Sequence, residues 1–434
     1  MLGVGKYQAI SEDCLTINVV SPAGHDFGAE PLPVMFFIHG GGYIMGSSAT
    51  PIYDGAALAR RGCVYVSANY RLGPLGCLDM SSLASPDVPI ESNLFLRDLV
   101  LALKWVRDNI ATFGGDPDNV TIFGESAGAH AVSTLLAVPA AQGLFARAIA
   151  ESPASGMVSD AATAADAAER FVNILGVSRR EASQALVAAR PFDLVKALDA
   201  LLAGSMDNMS GAFAVGPTHG DDFLPEDPMR AMKHGVAHNV PLIVGTNADE
   251  GRLFTRFLKL LPTNESSIEA LLAYVDPETR ERITSAYPGY PRTDACIQLG
   301  GDFAFSSAAW QIAEAHGRHA PTYVYRYDYA PRTLHWSGLG ATHGTELLAV
   351  FDIYRTRFGS ALTAAMDKRS ALRVSREMQS RWLDFSRTGI PSEDWPAYTH
   401  SERPVMVFDR NTRIELDPHP VRRRAWEGFS LAAR

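Results

Sequence analysis

Val120-Thr121-Ile122-Phe123-Gly124-Glu125-Ser126-Ala127-Gly128-Ala129-His130-Ala131-Val132 is the stretch from which the rest of the chain can be read. The β-branched and aromatic run Val120 to Phe123 predicts a buried strand, and the apolar, alanine-rich residues from Ala129 to Ala137 predict a helix directly after it. Between them stands Gly-x-Ser-x-Gly. Glycines on both sides of Ser126 allow a strained turn and a close approach of helix to strand, which leaves the hydroxyl exposed above the sheet end. A glycine-rich turn whose serine only caps the helix carries the same five residues. Strand before and helix after favour the exposed hydroxyl.

Outward from this turn the chain alternates short apolar runs with helical patterns. Val34 to Ile38, Cys63 to Ala68, Val240 to Val244, the tyrosine-rich Thr322 to Tyr329 and Val405 to Phe408 read as strands buried on both faces. Leu94 to Ile110 has apolar residues at helical spacing and a Gly114-Gly115-Asp116-Pro117 stop. Such alternation implies parallel pairing with helices on both faces. Cys14 to Val20 alternates apolar and polar residues, as an edge strand does. Residues 159–202 and 254–310 read as helical insertions and Leu362 to Thr388 as a long late helix. No repeat or linker separates them, so one domain over 1–434 is expected.

A serine hydroxyl is a weak nucleophile at neutral pH and needs an adjacent base, itself oriented by an acid. In folds with this turn the chain order is serine, acid, histidine. Asn247-Ala248-Asp249-Glu250-Gly251 follows the Val240 to Val244 strand, placing two carboxylates at its C-terminal end, where open α/β sheets build their sites. Spacing does not choose between Asp249 and Glu250. Among the histidines downstream, His343 in the glycine-flanked loop Leu339 to Glu346 is favoured slightly over His335. After the first buried strand comes His39-Gly40-Gly41-Gly42-Tyr43, whose glycines leave backbone N–H groups uncovered for a developing oxyanion. Together with the N–H of Ala127, this loop forms the expected anion-stabilising pair of elements.

The composition narrows the alternatives. Of the 434 residues, 39 are Lys or Arg and 48 Asp or Glu, a formal charge of −9. No basic field exists to attract a nucleic acid or an anionic membrane. No apolar run is long enough to span a bilayer, and the start lacks the basic and apolar regions of a signal peptide. The four cysteines are too scattered for a disulfide framework or a CxxC metal site. A cytoplasmic protein without metal or organic cofactor is expected.

The sequence resembles the type-B carboxylesterases, the carboxylesterase/cholinesterase family with its bacterial para-nitrobenzyl-esterase-like members. Ser11 to Asn18, His39 to Tyr43, Ala68 to Gly73, Phe113 to Pro117, Val120 to Ala129, Asn247 to Gly251, Gly340 to Leu347 and Trp395 to Tyr398 carry the resemblance, which covers essentially the whole chain. It implies an α/β-hydrolase fold, a mostly parallel central sheet with helices on both faces and helical cap insertions. It also implies hydrolysis of small-molecule carboxylic esters through an acyl-enzyme on Ser126. The family's acid falls on Glu250, its histidine on His343 and its oxyanion donors on Gly41, Gly42 and Ala127. Glu125 matches an acid that faces the site, and Arg71 and Asp98 match a structural ion pair. A related amidase or thioesterase would use the same residues, whereas a catalytically inactive binding relative would be expected to have a damaged triad.

Departures from the family pattern are also expected to matter. Phe95 and Leu99 stand where the family usually has Gly and Gln. Cys14 matches a cysteine paired in secreted relatives. A serine that often supports the triad falls on Ala154, with Ser155 as its substitute. The family's usual segment before Ser11 has no counterpart, which predicts a site open to bulky esters on that side. A histidine base must be neutral, so activity is expected to fall below about pH 6–7.

Overall fold

The computed structural model describes residues 10–24, 30–154, 156–208, 214–256, 261–273, 275–364 and 366–429. Nine strands form one sheet: β1 (Ile17–Val20), β2 (Leu32–Ile38), β3 (Val64–Ala68), β4 (Gly115–Glu125), β5 (Arg147–Glu151), β6 (Leu242–Asn247), β7 (Thr322–Tyr327), β8 (Pro404–Phe408) and β9 (Arg413–Leu416). Their spatial order is β1-β3-β2-β4-β5-β6-β7-β8-β9. All pairings from β3 to β8 are parallel, and only the edge strands β1 and β9 pair antiparallel. Helical crossovers impose this: a parallel neighbour needs a long connection, and the connections lie on the sheet faces.

The all-apolar strands are explained by what covers them. Val34, Phe36 and Ile38 of β2 enter the core on one face, with the helix Leu94–Asn109. Met35 and Phe37 enter the core on the other, with Trp382 and Leu383 of the helix Lys368–Thr388. A strand with period-two alternation has no polar face to spare when both sides are buried. The late helix starts at Lys368 rather than Leu362, because a separate helix, Arg357–Leu362, precedes it.

The first expected insertion is three helices, Ala161–Ile174, Ala182–Ala188 and Pro191–Asn208, between β5 and β6. The second lies between β6 and β7 and runs through to Ser307–His316. It has a core of its own, in which Leu271, Tyr287, Leu299, Phe303 and Phe305 meet Trp426 from near the chain end. Within it, Asp302–Ser306 is a π-helical turn. The expected ion pair is present: Arg71 Nε and a terminal nitrogen bond the two oxygens of Asp98 at 2.9 and 2.6 Å. All four cysteines are free. No helix among the described residues is long and apolar enough to cross a membrane, and none of their side chains cluster as a metal site.

Candidate active site

Ser126 stands between the end of β4 and the helix Ala127–Leu135, with φ 60° and ψ −123°. A serine rarely adopts a positive φ, and the surroundings enforce it here. Its N–H donates to Glu151 O at 2.9 Å, and its carbonyl accepts from His130 N at 2.9 Å. The flanking glycines are required sterically. A Cβ on Gly128 would lie 2.1 Å from Ile38 O, and one on Gly124 2.6 Å from the same oxygen. The helix thus presses on the end of β2, and Ser126 is the partly exposed residue of an otherwise buried turn.

The same ends of β2 and β4 bring the glycine loop to the serine. A Cβ on Gly40 would lie 3.1 Å from Ser126 Cβ. Gly41 and Gly42 have φ 117° and 63°, and a Cβ on Gly41 would strike Met45 O at 2.0 Å. The Gly41 carbonyl accepts from Ile44 and Met45, whereas the N–H groups of Gly41 and Gly42 make no hydrogen bond among the described residues. Ala127 opens the helix, where the first N–H groups lack an intrahelical partner.

The structure separates the carboxylates that spacing left tied. Glu250 Oε2 lies 2.7 Å from His343 Nδ1. Asp249 instead closes the turn: its N–H donates to Ala341 O at 2.9 Å, and its carboxylate takes Arg252 Nε at 2.8 Å. His335 is exposed on the helix Arg332–Trp336, outside this arrangement. His343 Nε2 is buried without a hydrogen bond. Glu125, expected to face the site, is itself buried, with Oε1 3.1 Å from that Nε2. Burial, reinforced by the charge of Glu250, pushes the Glu125 carboxyl well above the usual carboxylate range.

Several residues that sequence reasoning missed complete the surroundings. The support for Glu250 is Ser152, whose hydroxyl donates to Oε1 at 2.6 Å. Ala154 has no hydroxyl for that role, and Ser155 lies outside the described residues. Asn247 N also donates to Glu250 Oε1, at 2.7 Å. Its side-chain amide reaches Glu346 Oε2 at 2.5 Å. Glu346 is fully buried, and burial followed by the charges of Glu125 and Glu250 pushes its carboxyl well up. Phe305, in the π-helical turn, stacks on His343 with centroids 4.1 Å apart and planes 23° apart. Phe254 lies 5.3 Å from the same ring. Asn247 and Glu346 lie in motifs already noted; nothing in the periodicity singles out Ser152 or Phe305.

Comparison with known proteins shows the family of the chain. The profile of the Carboxylesterase family matches residues 3–426. The chain is 37% identical over 418 residues to the para-nitrobenzyl esterase of Bacillus subtilis, covering 95% of the chain and 82% of that protein. It is 33% identical to the human cocaine esterase, over 92% of the chain and 72% of that protein. A solved structure of PNB esterase superposes with a TM-score of 0.84 at 36% identity, covering 96% of this chain and 84% of that one. A carboxylesterase of Geobacillus stearothermophilus gives 0.82 at 32% identity, over 96% and 86%. A strained serine turn, a carboxylate-held histidine and a family match across the chain converge: the chain belongs to the carboxylesterase family and is a carboxylic ester hydrolase of the α/β-hydrolase fold.

Proposed function

We propose that the protein hydrolyses small-molecule carboxylic esters through an acyl-enzyme on Ser126, with His343 as base and Glu250 as the acid that orients it. The observation carrying this reading is the divided imidazole: Nδ1 is held at 2.7 Å by Glu250, while Nε2 is left without a hydrogen bond. The Ser126 Oγ adds to the ester carbonyl and its proton passes to His343 Nε2. The carbonyl oxygen becomes an oxyanion that accepts from the N–H groups of Gly41, Gly42 and Ala127. As the intermediate collapses, the carbon–oxygen bond to the alcohol breaks and His343 returns the proton to the departing oxygen. Water then adds to the acyl-enzyme by the same route, releasing the acid and restoring the serine.

Glu250 fixes the tautomer that presents Nε2 as acceptor, and its negative charge favours the imidazolium formed on the way. Glu125 serves as a further acid beside Nε2, its carboxyl raised by burial and by the charge of Glu250. We read the chain as one catalytic domain with helical insertions. The free thiols are in keeping with a reducing, cytoplasmic setting. The likeness to a para-nitrobenzyl esterase makes aryl and benzyl esters the natural probes. A chain-length series of p-nitrophenyl esters tests the reading: wild type turns them over, and folded Ser126→Ala does not. Wild-type-like turnover in that variant would overturn it.

A further inference from the structure

We propose that the hydrogen bond between Tyr43 and His130 braces the two halves of the oxyanion-binding site against each other, making both side chains positioning residues for ester hydrolysis. This rests on the assignment above of Gly41, Gly42 and Ala127 as the oxyanion donors. Those donors come from different elements. Gly41 and Gly42 sit on the loop after β2, whereas Ala127 opens the helix after β4. An oxyanion is stabilised only when all donors converge on one point, since a hydrogen bond weakens steeply as its angle opens. The glycines have no side chains with which to anchor the loop, so its register must come from the residues that flank it.

One flank is His39, whose carbonyl accepts from Tyr70 Oη at 2.7 Å and whose ring stacks on Tyr70 at 4.4 Å. The other is Tyr43, fully buried at φ 63°. A bulky residue holds that left-handed conformation only when its surroundings over-determine it. Its carbonyl accepts from Gly73 N at 2.7 Å, and its ring packs on Phe95 with centroids 4.6 Å apart. Its hydroxyl lies 2.8 Å from His130 Nδ1. His130 belongs to the first turn of the serine's helix, four residues on from Ser126, to whose carbonyl its own N–H donates. The Tyr43 side chain therefore reaches from the loop of Gly41 and Gly42 to the turn that presents Ala127.

The pair is suited to a fixed contact rather than a titrating one. Burial drives the His130 imidazole down to about 4 from 6.5, so it stays neutral through the ordinary working range. A neutral imidazole offers either a donor or an acceptor at Nδ1, and a phenol hydroxyl can meet both. Phe95 supplies the surface that keeps the Tyr43 ring in place.

The test uses Tyr43→Phe, His130→Ala and the double variant in the full chain, each confirmed as folded by thermal denaturation. Two readouts are taken: p-nitrophenyl acetate turnover, and the affinity of a reversible trifluoromethyl ketone, which forms an oxyanion when Ser126 Oγ adds to its carbonyl. Tyr43→Phe is expected to lower kcat by roughly three- to tenfold, the range of one neutral hydrogen bond. KM should stay within about twofold, because a group acting only in the transition state leaves ground-state binding alone. Ketone affinity should fall by the same factor as kcat. The double variant should be no worse than either single one. His130→Asn, whose amide can reach near the Nδ1 position, should recover part of the loss, and carries the comparison if Tyr43→Phe does not fold. Wild-type kcat and ketone affinity in folded Tyr43→Phe, or losses that multiply in the double variant, would overturn the brace. Failure of wild type to react with a fluorophosphonate at Ser126 would overturn the underlying assignment instead.

Discussion

Ser152 Oγ donates to Glu250 Oε1 at 2.6 Å, on the opposite oxygen from the one that holds His343. The carboxylate is gripped from both ends, with Asn247 N adding a second bond to Oε1. Ser152→Ala removes one of these and leaves Glu250 freer to rotate. Steady-state kinetics should show kcat reduced by about three- to tenfold, with KM little changed. Unchanged kcat would mean that Asn247 and the fold alone position the acid.

Glu250→Gln is the sharper change, since the side chain keeps its size and loses its charge. An amide can offer His343 Nδ1 its NH₂ group, which favours the tautomer with the proton on Nε2. That tautomer cannot accept from Ser126, and kcat should fall by as much as about 10⁴-fold without loss of fold. Asp249→Asn should instead disturb the turn that holds Ala341 and Arg252, and cost stability more than kcat. Comparing kcat and melting temperature for the two variants separates the acid from its neighbour.

Burial raises the Glu151 carboxyl to about 8, although its bond from the Trp382 indole opposes the shift; the charge of Glu125 adds to it. Unfolded, the group titrates near 4.5, so between that value and about 8 the native state holds more protons. Stability therefore declines as pH rises through this window. Buried His39 and His130, both driven down to about 4 from 6.5, act in the opposite sense below pH 6.5, where the unfolded chain binds the extra protons. Between about 6.5 and 8 the carboxyl acts without them, for at most about 2 kcal/mol. Glu151→Gln keeps an acceptor for Trp382, and its melting temperature should fall less steeply over that range than wild type. Equal slopes would refute the assignment.

The sheet was legible because each central strand is covered on both sides. Met35 and Phe37 point one way and Val34, Phe36 and Ile38 the other, which leaves a continuous apolar run in the sequence. β5 was harder. Its Arg147-Ala148-Ile149-Ala150-Glu151 has one β-branched residue and small neighbours, so neither Glu151 nor Ser152 at its end stood out. Asp249 and Glu250 share one tight turn, where spacing cannot say which carboxylate points to a histidine 93 positions away. Phe305 depends on the π-helical turn Asp302–Ser306, which shifts the helical register in a way that a 3.6-residue period does not reveal.

Covalent trapping reads out whether Ser126 carries the acyl group. Wild-type enzyme is treated with a fluorophosphonate, digested, and the modified residue located by mass spectrometry. One adduct per chain is expected, on Ser126, with ester hydrolysis lost in proportion to labelling. An adduct on another residue, or full hydrolysis in enzyme fully labelled at Ser126, would contradict it.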